Sequence, residues 1–142
     1  MRVIFLDFDG VINGYELWRE IDNFYLQLGE RGHHLYYMSH TCVRPLNRLF
    51  KLLVELNYKI VVSSAWRIGN NVDDFNNCFM EFSGIFNARS EKIFIGKTGS
   101  NKNRGLEIQD YLLQNKIEDF LIIDDEVTSN ITNTFSKEKY IK

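Results

Sequence analysis

The chain contains three short, mainly apolar runs, and each of them ends at polar or charged side chains. The runs cover residues 3–6, 59–62 and 120–123. Runs of this length that are rich in branched and aromatic residues, without alternating polar positions, are typical of strands buried on both faces of a parallel sheet. We therefore predict one buried strand at each of these places.

Segments with helical spacing of apolar residues separate the predicted strands. In residues 41–57 apolar side chains recur three and four positions apart, Thr41 stands where an N-cap is needed, and Pro45 is early enough to be tolerated. Strands that alternate with helices predict right-handed crossovers and a parallel sheet. The other predicted elements are helices over 72–82 and 104–114, short extended segments at 85–86 and 92–95, a polar loop over 96–103, and a short helix or strand in the tail 127–142.

The segment 14–39 has no sustained period but is rich in aromatic residues. It is too aromatic for a disordered loop and too irregular for one long helix, so we predict a compact flap inserted after the first strand. Two interpretations remain open. The flap could be a lid over a site, or a structural cover whose aromatic side chains pack on the core.

Composition limits the class of protein. At 142 residues the chain is expected to form one domain spanning 1–142, and a net charge of −2 argues against strong electrostatic binding of nucleic acid. Cys42 and Cys78 have no metal-type spacing and are interpreted as buried free thiols in a reducing compartment. The start of the chain does not resemble a signal peptide and no apolar run is long enough to cross a bilayer, so a cytoplasmic location and no membrane partner are expected.

Acidic residues follow the first and third predicted strands. Asp7 and Asp9 stand one residue apart, and Gly10 indicates a bend with a positive φ or room for a close approach. Because ligands bind beyond the carboxyl ends of parallel strands, Asp124 and Asp125 are expected at the same edge of the sheet. Carboxylates crowded together repel one another unless a proton or cation lies between them, and a hard cation such as Mg²⁺ is suitable. Read alone, Asp9-Gly10 is also compatible with an ordinary turn.

Hydroxyl groups and cations are predicted near these acids. Ser63 and Ser64 follow the second strand, where hydroxyls and backbone amides can bind phosphate. Lys102 and Arg104 lie near the start of a predicted helix, a position that the helix dipole disfavours for cations, which suggests an anion nearby. Acids that hold Mg²⁺ beside groups that hold a phosphoryl group indicate phosphoryl transfer to an aspartate.

Four motifs in this order resemble those of the haloacid dehalogenase-like (HAD) phosphohydrolases. They are Asp7–Val11 after an apolar strand, Ser63 after the second strand, a cation at a helix start, and Asp124-Asp125 after the third. The segments 63–67, 96–98 and 104–108 are also similar to a small, minimally capped subgroup associated with nucleic-acid-repair phosphatases. The resemblance implies a three-layer α/β/α sandwich with a central parallel, Rossmann-like sheet and a small flap insert at 14–39.

The resemblance also implies catalytic roles. Asp7 would attack phosphorus, and Asp9 would protonate the leaving oxygen and then activate water. Ser63 would donate to a phosphoryl oxygen. The family usually has lysine as its third-motif cation; here Arg104 fits best and Lys102 is the alternative, although the two residue types are not interchangeable. Mg²⁺ would be held by Asp7, the backbone carbonyl of Asp9, and Asp124, with Asp125 as a ligand or a neighbour of the ligands.

These roles predict a Mg²⁺-dependent phosphohydrolase that acts on a phosphomonoester of a small molecule or a nucleic-acid end, with no obligatory protein partner evident. Without a large cap, bulky substrates could enter. Trp66 could stack on a base or belong to the core. The residues expected to contact substrate are Gly10, Ser64, Arg67 and Lys102. The alternatives are a receiver-like phospho-acceptor and a catalytically inactive HAD-fold binding module.

Overall fold

The computed structural model of the protein describes residues 1–12, 43–80, 92–100 and 102–142. The strands are β1 (Arg2–Leu6), β2 (Tyr58–Val62), β3 (Phe94–Lys97), β4 (Asp119–Ile123) and β5 (Tyr140–Ile141). The helices are α1 (Val43–Glu55), α2 (Val72–Met80), α3 (Arg104–Gln114) and α4 (Ser129–Thr132), with short 3₁₀ helices at Ala65–Arg67 and Lys137–Lys139. The predicted flap at 14–39, the proposed N-cap Thr41 and the predicted segment 85–86 lie outside the described residues.

The five strands form one parallel sheet in the order β3-β2-β1-β4-β5. The strand β1 lies at its centre, and Leu6 pairs with Val62 of β2 and with Ile123 of β4. The next residue of each strand therefore emerges at the same level of the same edge. This arrangement confirms the predicted parallel sheet.

Apolar side chains pack on both faces of the sheet. Alternate residues of β1 enter two separate core clusters, with Leu6 in one and Phe5 in the other. The first cluster contains Phe50 of α1 and Phe75 of α2, and the second contains Ile108 of α3 and a residue of α4. The helices thus form one layer on each side of the sheet, which confirms the α/β/α sandwich.

The extent of β3 was predicted wrongly. The strand begins at Phe94 and runs through Gly96 and Lys97, which had been expected to open a polar loop. A Cβ at Gly96 would occupy the position of the Tyr111 hydroxyl, so glycine permits α3 to pack closely on this strand. The side chain of Asn76 stabilises the start of β3, because it donates to the carbonyl of Phe94 and accepts from its amide.

The other boundaries are close to those predicted. The helix α3 has the predicted bounds, and its N-cap is Asn103, whose side chain accepts a hydrogen bond from the amide of Leu106. The helix α1 ends at Glu55, and Asn57 then turns the chain with a φ of 58°. Within the described ranges, no helix combines the length and the apolar character needed to cross a membrane.

Candidate active site

Asp7 lies at the centre of the candidate site because it directly follows β1. Its amide donates to the carbonyl of Ile123 at 2.9 Å, and the residue is 7% exposed. Burial raises the pKa of the Asp7 carboxyl group to about 6. A hydrogen bond from the Ser64 hydroxyl and the charge of Arg104 act in the opposite direction, whereas the neighbouring Asp124 adds to the increase.

Three carboxylates converge at this edge of the sheet. Asp7, Asp124 and Asp125 each place one oxygen within 4.8 Å of the other two, and Asp124 is also buried. Gly10 has a φ of +75°, and a Cβ at this position would collide with the carboxylate of Asp125. Three converging carboxylate oxygens are the ligand type that Mg²⁺ takes in proteins. The residues present therefore fit a hard divalent cation.

Among the described residues, Arg104 pairs with two of these acids. It is the first residue of α3, and its Nη1 lies 3.6 Å from Oδ1 of Asp7 and 3.4 Å from Oδ2 of Asp124. The same nitrogen donates to the Ser63 hydroxyl at 3.5 Å. Gly105 allows this helix start to lie close to α4, since a Cβ there would meet the backbone carbonyl of Asn130.

The structure places the alternative cation, Lys102, elsewhere. Its Nζ forms an ion pair with Oδ2 of Asp110 at 2.7 Å, and these two side chains are 52% and 42% exposed. Its backbone amide donates to Glu107. Of the two candidates named from the sequence, Arg104 therefore contacts the acidic cluster, and Lys102 is engaged on the outer side of α3.

The two serines after β2 are buried beside Asp7. The amide of Ser63 donates to the carbonyl of Leu6, which continues the pairing of β2 with β1 beyond the strand. The Ser63 hydroxyl is next to Arg104, while the hydroxyl of Ser64 is bonded to Asp7. Ser64 Oγ also accepts from the amide of Trp66 and thereby caps the 3₁₀ helix Ala65–Arg67.

Arg67 was expected to contact substrate, but its guanidinium is turned into the protein. The residue is 8% exposed. Its Nε donates to the carbonyl of Gly99 at 2.9 Å, and its Nη1 donates to the carbonyl of Ser64 at 2.6 Å. Its Nη2 donates to Oε2 of Glu107 at 2.8 Å. Burial lowers the pKa of Arg67, and the charge of Glu107 opposes that change. These contacts hold the guanidinium inside the protein, and the contact of Arg67 with substrate stays a prediction.

Two contacts of this site were not found from the sequence. Glu107 is a buried acid within the inward face of α3. The sequence included it only in the segment 104–108 that resembles the minimally capped subgroup, and no role was predicted for it. The indole Nε1 of Trp66 donates to Oδ1 of Asp9 at 2.9 Å, while its ring packs at 6.2 Å from that of Phe8. From the sequence, Trp66 was interpreted as a base-stacking or core residue and belonged to the segment 63–67 that resembles the subgroup, but its contact with Asp9 was not predicted.

The family comparison agrees with this arrangement. The family model described as the HAD domain in Swiss Army Knife RNA repair proteins matches residues 3–142. The chain belongs to this family. Membership confirms the resemblance to HAD-like phosphatases associated with nucleic-acid repair and makes this HAD domain a phosphohydrolase of the general HAD type. No curated protein and no solved structure matches the chain significantly.

Proposed function

We propose that this HAD domain is a Mg²⁺-dependent phosphomonoesterase that works through an aspartyl-phosphate on Asp7. The observation that carries the proposal is the convergence of three carboxylates and one arginine at the carboxyl ends of β1 and β4. A nucleophile, a cation and a hydroxyl donor beside one another are the groups that phosphoryl transfer requires.

In the first step, an oxygen of the Asp7 carboxylate attacks phosphorus and forms a new P–O bond. The bond between phosphorus and the ester oxygen breaks, and its electron pair goes to the leaving oxygen. The carboxyl group of Asp9 gives its proton to that oxygen, so the product leaves as an alcohol. Asp7 then carries the phosphoryl group.

In the second step, water attacks the phosphorus atom of the aspartyl-phosphate. Asp9, now a carboxylate, accepts a proton from the water, and the P–O bond to Asp7 breaks. Inorganic phosphate leaves, Asp7 is again a carboxylate, and Asp9 is again protonated. Protons and electron pairs therefore balance over the cycle.

The neighbouring groups stabilise negative charge during both steps. Arg104 and the Ser63 hydroxyl lie beside Asp7, where they can donate to phosphoryl oxygens. Asp7, Asp124 and Asp125 would hold Mg²⁺, which when bound supplies positive charge to the phosphoryl group. Ser64 orients Asp7 through its hydroxyl.

We further propose that the substrate is a phosphorylated nucleic-acid end. This choice is supported by the description of the matching family, whose members are HAD domains of RNA repair proteins. A small phosphorylated molecule is the competing substrate. With Arg67 and Lys102 both engaged in protein contacts, recognition of a bulky substrate would depend on other residues than these two.

Phosphate release tests both parts of the proposal. The enzyme should release phosphate from an aryl phosphate in the presence of Mg²⁺, and it should favour oligonucleotides with a 3′- or 5′-phosphate over the matching mononucleotides. Asp7→Asn and a chelator should each abolish release. Phosphate release that survives Asp7→Asn or the chelator would exclude the mechanism. A preference for mononucleotides or sugar phosphates would exclude a nucleic-acid end as the substrate. A phosphorylated protein that persists for many minutes without phosphate release would favour a receiver-like role.

A further inference from the structure

A groove of about 290 Å³ runs along the outer side of α3. One side of this α3 groove is a stripe of residues on and just after the helix, which recur three and four positions apart from Glu107 to Asn115. The other side comes from the end of β3 and the chain that follows it, including Lys97, Ser100 and Lys102. Pockets that bind small molecules begin at about 300 Å³, so the groove has room for one small ligand group.

The charged side chains of the α3 groove already have partners. Its described lining contains two cations and two acids, so it carries no net charge. Lys102 pairs with Asp110, and Glu107 pairs with Arg67. Nζ of Lys97 donates to two backbone carbonyls. Proteins bind nucleic-acid phosphates mainly through Lys and Arg side chains that are available to them. The groove is therefore better suited to an uncharged group than to a phosphate.

Uncharged polar groups in the α3 groove can still bind a ligand. Within the part of the chain that the structure describes, the hydroxyls of Ser100 and Tyr111 and the side-chain amide of Gln114 form no hydrogen bond. Tyr111 is half-buried, and burial raises the pKa of its hydroxyl. A half-buried polar group has lost part of its water without gaining a protein partner. A ligand with donors and acceptors of its own would supply the missing hydrogen bonds.

The guanidinium of Arg67 joins the α3 groove to the active site. Two of its acceptors, the carboxylate of Glu107 and the carbonyl of Gly99, belong to residues that line the groove. Its third acceptor is the carbonyl of Ser64, whose hydroxyl is bonded to Asp7. One side chain thus lies between the groove and the proposed nucleophile. A chain that leads away from a phosphate at Asp7 can therefore enter the groove.

Resting on the proposed phosphatase function, we propose that the α3 groove is a subsite for a nucleoside of the substrate strand. A nucleobase is uncharged, carries donors and acceptors on its edge and has a flat face that packs on aromatic rings. These properties match the available hydroxyls, the amide of Gln114 and the ring of Tyr111. The subsite supplies contacts that a small phosphorylated molecule cannot make, and it thereby favours a nucleic-acid end.

The variants Tyr111→Phe and Gln114→Ala test this subsite, because each removes one available polar group. The substrates are an aryl phosphate and a trinucleotide with a terminal phosphate, 3′ or 5′, whichever is released faster. The measured quantity is the ratio of kcat/KM on the trinucleotide to kcat/KM on the aryl phosphate. We expect this ratio to fall about 2- to 10-fold in each variant, which is what the loss of one uncharged hydrogen bond produces.

A third substrate identifies the part of the strand that binds. It is the same trinucleotide with stable abasic analogues in place of its nucleosides, so it keeps the phosphates and lacks the bases. The wild-type ratio for this compound should be lower than that for the trinucleotide, and Tyr111→Phe and Gln114→Ala should each change it less than about twofold, because residues acting through the same group are not additive.

Gln109→Ala is the matched control for Gln114→Ala. Gln109 is exposed on α3 and does not belong to the described lining of the groove. This variant should keep the wild-type ratio, and the melting temperatures of all three variants should be close to that of the wild type.

Two results would overturn the inference. The first is a wild-type ratio in both Tyr111→Phe and Gln114→Ala. The second is an abasic compound that is as good a substrate as the trinucleotide, since the strand would then be bound by its phosphates. A wild-type protein that releases no phosphate from the aryl phosphate with Mg²⁺ would instead reject the proposed function, and the subsite with it.

Discussion

Arg67 and Glu107 form a buried ion pair, with Nη2 of the arginine 2.8 Å from Oε2 of the glutamate. The same guanidinium donates to the carbonyls of Ser64 and Gly99. One side chain thus joins the segment after β2, the segment after β3 and the first turn of α3. These segments carry the serines and Arg104, so the ion pair links the parts of the site that come from different elements.

Removing one partner of this pair should be strongly destabilising. Glu107→Ala leaves the guanidinium of Arg67 buried without its counter-charge, and breaking a buried pair in this way costs about 3–5 kcal/mol. We expect the free energy of unfolding, measured in urea, to fall by roughly that amount. Arg104 lies in the same first turn of α3 as Glu107, so a displaced turn would also displace Arg104. Activity per folded molecule should therefore fall as well.

The exposed pair on the same helix provides the control. Asp110→Ala breaks the contact with Lys102, whose two side chains are both substantially exposed, and an exposed ion pair contributes at most about 1 kcal/mol. Equal losses of stability in Glu107→Ala and Asp110→Ala would show that the buried pair has no special role in holding α3.

Arg104 and Lys102 should differ sharply in their effect on catalysis. Of these two cations, Arg104 is the one that contacts Asp7 and Asp124. Loss of a charge-stabilising donor typically lowers kcat about 10²- to 10³-fold, so we expect a loss of this size in Arg104→Ala. Arg104→Lys should recover part of that loss, since the charge remains but the fork of donors does not. Steady-state kinetics on an aryl phosphate measures both effects.

Lys102→Ala is the matched comparison for Arg104→Ala, since it removes a cation two residues away that pairs with Asp110 instead. It should leave activity on the aryl phosphate within about twofold of the wild type. A loss as large as that of Arg104→Ala would return the third-motif role to Lys102 and contradict the assignment.

Much of the fold could be predicted from the sequence because its strands are apolar on both faces. The runs at 3–6, 59–62 and 120–123 lie within one residue of β1, β2 and β4. Parallel pairing then brings their carboxyl ends together, so the closeness of Asp7, Ser63 and Asp124 followed from the topology. The bounds of β3 were harder to predict from the sequence. Gly96 looks like a loop residue, but it lies within the strand because a side chain there would collide with the hydroxyl of Tyr111, a residue distant in sequence.

The partners of individual side chains could not be predicted in the same way. Whether Arg67 points outward or inward depends on the 3₁₀ helix Ala65–Arg67, which turns the chain immediately after the strand edge. The acceptors of Arg67 come from three different segments. The bond from Trp66 to Asp9 likewise joins residues 57 positions apart. Periodicity reports which face is buried, but it does not report which polar groups meet there.

Two glycines with positive φ should respond differently to alanine. Gly10 and Gly69 have φ values of +75° and +79°, so alanine is strained at both positions by about 1–2 kcal/mol. Among the described residues, none lies within 4 Å of a Cβ placed at Gly69, whereas a Cβ at Gly10 collides with the carboxylate of Asp125. Gly10→Ala should therefore lose more stability than Gly69→Ala.

The rise in melting temperature on adding Mg²⁺ should also differ between Gly10→Ala and Gly69→Ala. The displacement of Asp125 in Gly10→Ala should reduce the rise in melting temperature that Mg²⁺ produces, because a ligand stabilises the folded state according to its affinity. Gly69→Ala should keep the wild-type rise. An equal response to Mg²⁺ in both variants would argue against a role of Asp125 in the metal site.

The pKa of Asp7 predicts a specific dependence of stability on pH in the absence of Mg²⁺. The carboxyl group titrates near 3.8 when unfolded and at about 6 in the folded protein. Below pH 3.8 both states are protonated, and between these values only the folded state keeps the proton. The free energy of unfolding should therefore fall as pH rises from about 4 to about 6, by at most ~3 kcal/mol, and Asp7 should add no further change above that range.

Comparison with Asp7→Asn isolates this effect, because all other groups titrate in both proteins. In urea unfolding with a chelator present, the variant should gain stability relative to the wild type as pH rises, and the difference should become constant near pH 7. Mg²⁺ should reduce the difference at pH 7, since a cation beside Asp7 favours its charged form. A difference that is independent of pH between 4 and 7 would show that burial of Asp7 imposes no electrostatic strain on the fold.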